Sequence, residues 1–168
     1  QPVYSFGWQG GEPTMMGRAF FERVTGLQQR YGRPGSQVGN GLQTNATLID
    51  DAFAEHLAAY RFLVGVSLDG PAELHDRYRR YPGGGATHAD VLAGLDRLRG
   101  HGVEVNVLVL VSKANVDHAT EVYRYLTNLG IRYLQFIPCV ELDRNGLPRS
   151  YSITGEEWGD FLSEVFEL

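Results

Sequence analysis

The sequence predicts an α/β fold with parallel strands. Strand-like and helix-like runs alternate along the chain, and several strand-like runs are apolar without a clean period of two. That pattern suits strands buried on both faces of a parallel sheet. Repeated strand–helix units imply right-handed crossovers. Five strands fit either a piece of a (β/α) barrel or a doubly wound open sheet, and periodicity does not choose between them.

The strand-like runs cover 3–8, 36–43, 62–68, 103–111 and 133–137. Helical spacing places Phe20, Phe21, Val24, Leu27 and Gln28 on one face of 17–31, and a second helix follows over 50–59. The run 88–101 carries Val91, Leu92, Leu95 and Leu98, with Gly102 as its stop. The run 115–129 carries Ala119, Val122, Tyr123 and Leu126, with Gly130 after it. The last run, 154–168, opens with Thr154 and Glu157 at capping-box spacing and an apolar stripe of Trp158, Phe161, Leu162, Val165 and Phe166. The segments 82–85 and 143–151 read as a flexible and a polar loop.

A chain of 168 residues is long enough for one domain, read as 1–168. Its 43% hydrophobic and 21% charged residues lie in the ordinary globular range. A net charge of −5 with no Lys/Arg cluster argues against nucleic acid. No apolar stretch is long enough to span a membrane, and no signal-peptide pattern opens the chain, so the expected compartment is the cytoplasm. The only cysteine, Cys139, rules out an intrachain disulfide and a four-cysteine zinc or iron–sulfur site. Gln1, just ahead of a strand, reads as the start of a fragment or a processed chain.

Ligands of parallel α/β folds gather at the carboxyl ends of the strands. There the first strand delivers Gln9-Gly10-Gly11-Glu12-Pro13, the second Gln43-Thr44-Asn45, the third Ser67 and Asp69, and the fourth Ser112 and Asn115. Adjacent glycines bare the backbone, and Glu12 adds an anion beside them. Such a turn suits a ligand ammonium, whereas Glu12 would repel a phosphate. Ser67 can donate to a carboxylate, Asp69 can fix its loop, and an arginine of His75-Asp-Arg-Tyr-Arg79 can pair with a carboxylate. Gln43, Thr44 and Asn45 suit a nucleoside or a peptide, or simply a turn. His75 has no metal-ligand spacing, and Cys139 reads as an inert buried thiol.

Phe6-Gly-Trp-Gln-Gly-Gly-Glu-Pro-Thr14, Leu42-Gln-Thr-Asn-Ala-Thr-Leu-Ile-Asp50, Phe62-Leu-Val-Gly-Val-Ser-Leu-Asp-Gly-Pro71, His75-Asp-Arg-Tyr-Arg79 and Tyr133-Leu-Gln-Phe-Ile-Pro-Cys139 follow one another in order. Together they resemble the anaerobic sulfatase-maturating enzymes, radical S-adenosylmethionine proteins with a cysteine-rich C-terminal extension. The resemblance implies a partial (β/α)6 TIM-type barrel whose first strand–helix unit, with its Cys-x3-Cys-x2-Cys loop, is missing here. It implies S-adenosylmethionine and a [4Fe–4S] cluster in the parent protein, with a 5′-deoxyadenosyl radical oxidising a Cys or Ser of a sulfatase peptide to Cα-formylglycine. By this likeness Gly10, Gly11 and Glu12 hold the methionine ammonium of the cofactor, Ser67 and Arg79 its carboxylate, and Val140 packs near the adenine. Gln9, Thr44 and Asn45 face the reacting groups or the peptide.

The departures set further expectations. With one cysteine, the chain is expected to bind no cluster, to hold S-adenosylmethionine only weakly so that no cofactor stays bound, to hold no catalytic residue or metal, and to be inactive alone. Ala46 stands where a glycine is usual. The outer edge of 3–8 is expected to be covered by the helix over 154–168, by a second copy in a homodimer, or by disorder. Alternatives are another peptide-modifying radical enzyme and a non-catalytic peptide-binding barrel.

Overall fold

A computed structural model describes residues 2–168. Its elements are β1 (Val3–Trp8), α1 (Arg18–Tyr31), β2 (Gln37–Thr44), α2 (Asp51–Ala59), β3 (Leu63–Ser67), α3 (Ala72–His75), α4 (His88–Gly100), β4 (Glu104–Val111), α5 (Ala119–Asn128), β5 (Leu134–Pro138) and α6 (Gly155–Phe166). The strands form one sheet in the order β1-β2-β3-β4-β5. Strand neighbours in sequence are neighbours in the sheet, as in a singly wound barrel wall and unlike a doubly wound sheet. The chain divides into two compact units, one of residues up to Ser67 with Asp90–Asn106, the other of Leu68–Ala89 with Val107–Leu168.

In the first unit β1 pairs parallel with β2, and β2 with β3. Its core holds Phe21, Leu42, Phe53, Leu57, Phe62, Val64 and Leu95, all at most 3% exposed. Phe21 meets Trp8, Phe53 and Phe62 at ring-centroid separations of 5.9, 5.4 and 6.2 Å, an edge-rich aromatic cluster between helix and sheet. Gln28 falls on the expected apolar face of α1 because its amide exchanges two 2.9 Å hydrogen bonds with the buried Asn40 of β2. Leu27, expected in that stripe, is exposed and lines an apolar groove of about 540 Å³ with Tyr4, Phe6, Val24, Tyr31 and Val38.

β1 is the terminal strand of the sheet, and its residues Val3–Gly7 are exposed. α6, in the second unit, packs on α5 and on the 3-10 turn Val116–His118.

In the second unit β4 pairs parallel with β5. The capping box of α6 forms as the sequence implies: Thr154 Oγ1 accepts from Glu157 N and the Glu157 carboxylate accepts from Thr154 N. Phe161 then reaches Phe136 of β5 at 5.3 Å. The helix expected over 115–129 starts late. Asn115 Nδ2 donates to Leu110 O and Asp69 O while its Oδ1 accepts from Ser112 N, so Asn115 is held as a non-helical anchor. The loops after α3 and β5 close antiparallel bridges, Arg80 to Ala86 and Leu142 to Pro148, rather than remaining irregular. Among the described residues no helix is long and apolar enough to cross a membrane.

Candidate functional site

The glycine turn after β1 is built for open backbone. Gly10 and Gly11 adopt φ of 95° and 55°, the region glycine enters without a steric penalty. A Cβ on either would meet nothing within 4 Å, so conformation rather than crowding demands glycine, and the backbone there faces open space. Gln9 is exposed beside them.

Glu12 ties this turn to the end of β2. Its Oε1 accepts from Thr14 N (3.0 Å), Thr14 Oγ1 (2.7 Å) and Thr44 Oγ1 (2.7 Å), and its Oε2 accepts from Asn45 N (2.7 Å). Thr44 Oγ1 in turn accepts from Ala46 N at 3.0 Å, and Asn45 Oδ1 accepts from Thr47 N and Oγ1 at 3.0 and 2.9 Å. Gln43 Nε2 donates to Ser67 Oγ at 3.1 Å, which joins the ends of β2 and β3. Of the residues singled out from the sequence, Gly10, Gly11, Glu12, Thr44, Asn45 and Ser67 thus gather at the carboxyl edge of β1–β3. Thr44 and Asn45, expected to face the reacting groups or the peptide, make these contacts within the turn.

Ala46 has φ of 59°, a conformation that costs an ordinary L-residue about 1–2 kcal/mol. It is 1% exposed, so its methyl also gains burial. Glycine would relieve the strain but lose that burial and chain stiffness, which cancels to within about 1 kcal/mol. Alanine is therefore tolerated where glycine is usual.

The second unit holds Arg79 and Val140. Asp69 clasps the Arg79 guanidinium twice, Nε to Oδ2 at 2.5 Å and Nη2 to Oδ1 at 3.1 Å, and also accepts Leu110 N at 2.8 Å. Arg79 is thereby fixed in direction, and Nη1 is not used by this pair. The sequence marked Asp69 as a loop anchor and Arg79 as a cation but did not join them. The signal was the Asp69-Gly70-Pro71 turn followed by Arg79, ten residues after the aspartate. Val140 is 68% exposed, and Cys139 beside it is buried, its thiol pushed up by burial first and then by Glu141 and Asp69.

His75 is 1% exposed, and burial is the main cause that pushes its imidazole down to about 4. Asp69 and Asp76 oppose that shift, and Arg79 and His88 add to it. The unfolded chain takes up this proton near pH 6.5 and the folded chain only near 4. His75 thus contributes stability present above pH 6.5 and lost as pH falls towards 4, about 3 kcal/mol in all. Denaturant titrations from pH 7 to 4 are expected to show this loss, and His75→Gln to flatten it.

Among the described residues no group of three His, Cys, Asp or Glu side chains could hold a metal ion. In the first unit an open glycine backbone beside a fixed carboxylate suits an ammonium, and in the second a held guanidinium suits a carboxylate.

The model of the Radical SAM superfamily matches residues 1–126. A serine-type anaerobic sulfatase-maturating enzyme from Klebsiella aerogenes is 39% identical over 162 residues, 96% of this chain and 40% of that protein. A cysteine-type anaerobic sulfatase-maturating enzyme from Clostridium perfringens (strain 13 / Type A) is 36% identical over 98% of this chain and 45% of that protein. A solved structure, native anSMEcpe with bound AdoMet and Cp18Cys peptide, superposes with a TM-score of 0.92 at 34% identity, covering 99% of this chain and 46% of that one. The chain therefore spans less than half the length of these relatives. The likeness bears out the fold class, α/β with parallel strands of TIM-barrel type.

Proposed function

Because the chain belongs to the radical SAM superfamily, we propose that it is the S-adenosylmethionine-gripping part of an enzyme that oxidises a Cys or Ser of a sulfatase peptide to Cα-formylglycine. The Glu12 clamp is the observation that carries this. It fixes a carboxylate beside the open Gly10–Gly11 backbone, an acceptor set that fits an amino-acid ammonium. In this reading Gly10, Gly11 and Glu12 bind the cofactor ammonium, Ser67 and Arg79 its carboxylate, and Val140 packs near its adenine. Gln9, Thr44 and Asn45 face the reacting groups or the peptide. When bound beside a reduced iron–sulfur cluster, S-adenosylmethionine would supply hydrogen-abstraction chemistry at the peptide.

The residues present do not fit the cluster itself. Three thiolates are needed and the chain has one cysteine, so no step is assigned to the cluster here. Incubation of this chain with iron and sulfide is expected to leave S-adenosylmethionine uncleaved. Cleavage, followed chromatographically, would contradict that.

The peptide activity is tested by replacing the matching segment of the Clostridium perfringens relative with these 168 residues. Aldehyde captured on a sulfatase peptide by a hydrazide reagent is expected. Cofactor cleavage without aldehyde would reject a sulfatase as substrate.

The exposed β1 edge supports self-association of this chain, since unpaired strand edges recruit partners. Sedimentation is expected to show a dimer that Phe6→Lys disperses, and a monomer at all concentrations would count against it.

A further inference from the structure

Both ring nitrogens of His75 are engaged. Asp69 N donates to Nδ1 at 3.2 Å. Nε2 lies 3.2 Å from Thr87 Oγ1, and that hydroxyl donates to the Arg79 carbonyl at 2.7 Å. A hydroxyl has one hydrogen, so towards His75 it must accept, and Nε2 carries the ring proton. Nδ1 is then bare, which is what the Asp69 N–H requires. The two assignments agree and describe one neutral tautomer.

One imidazole is thus tied to the backbone of Asp69 directly and to the backbone of Arg79 through Thr87. Asp69 and Arg79 are the two residues whose side chains pair. The surroundings fix each part. Asp76 Oδ1 accepts from Thr87 N and His88 N at 2.8 and 3.1 Å, and Asn115 Nδ2 donates to Asp69 O at 3.0 Å. In a buried network with every member satisfied, removing one link shifts the others.

We propose that His75 is a positioning residue for Arg79: it spaces the two backbone anchors of the Asp69–Arg79 pair and so aims the guanidinium at a ligand carboxylate. This rests on the reading of Arg79 as the partner of the S-adenosylmethionine carboxylate, and the test separates the two. The first arm needs no ligand. Solvent exchange of the Arg79 Nε–H, followed by NMR, is expected to be slow in the natural chain. It should be about tenfold faster in His75→Gln and in the milder Thr87→Val, with the helical circular dichroism unchanged. An unaltered exchange rate in folded Thr87→Val overturns the proposal.

The second arm titrates each variant with S-adenosylmethionine and with its decarboxylated analogue. Thr87→Val is expected to weaken the first about tenfold and leave the second unchanged, as Arg79→Gln does. Equal weakening of both ligands by Thr87→Val means a general structural role and overturns the positioning role. If Arg79→Gln itself fails to discriminate the ligands, it is the carboxylate reading that falls, and the exchange arm still decides whether His75 holds Arg79.

Discussion

Gly94→Ala is expected to destabilise the chain by about 2–4 kcal/mol, lowering the thermal midpoint by roughly 5–15 °C. Helix propensity alone argues the opposite, because alanine is favoured over glycine inside a helix by about 1 kcal/mol. The contact decides. A Cβ on Gly94 would lie 2.1 Å from the Ala46 carbonyl oxygen and 3.0 Å from its carbonyl carbon, so α4 and the loop after β2 cannot both stay in place. The atoms in the way are backbone, with no rotamer to relieve them. Asn45 of this loop and Thr44 at the end of β2 both donate to Glu12, so Glu12 would lose partners as Ala46 is pushed aside. Thermal unfolding checks this, and a midpoint equal to or above that of the natural chain would show that propensity wins.

Glu12→Gln is expected to cost about 1–3 kcal/mol despite its matched shape, and to remove measurable S-adenosylmethionine binding. All four groups facing Glu12 are donors in the structure. The two hydroxyls can rotate, but the backbone N–H groups of Thr14 and Asn45 cannot, and they address different oxygens of the carboxylate. An amide offers one oxygen and one NH2, so whichever way it turns, one backbone N–H meets another donor. Only a carboxylate satisfies both. Urea unfolding and calorimetric titration measure the two effects; a glutamine variant with the natural stability and affinity would mean that Glu12 is merely a solvated turn residue.

The features legible in the sequence are those fixed by near neighbours. The Thr154–Glu157 box joins residues three apart and formed as its spacing implies. The alternation of apolar runs identified five parallel strands, and the Gly10-Gly11-Glu12 turn declared its open backbone. Features fixed at a distance stayed hidden. Gly94 looks like an indifferent residue of a helix until Ala46 is seen against it. The late start of α5 depends on Asn115 being held by Asp69, 46 residues earlier. Gln28 sits on an apolar stripe because Asn40 arrives from another element. Arg79 was legible as a cation, but not as one whose direction is set by Asp69 and, behind it, by His75.

The measurement that bears most directly on the account is an NMR titration of the isotope-labelled chain with S-adenosylmethionine. The largest shifts are predicted at the amides of Gly10, Gly11 and Glu12, at Ser67 and at the Arg79 side chain, and removal of the ligand carboxylate should quiet Ser67 and Arg79 while sparing the glycine turn. Shifts confined to the apolar groove lined by Tyr4, Leu27 and Tyr31, or the same response with and without the carboxylate, would contradict it.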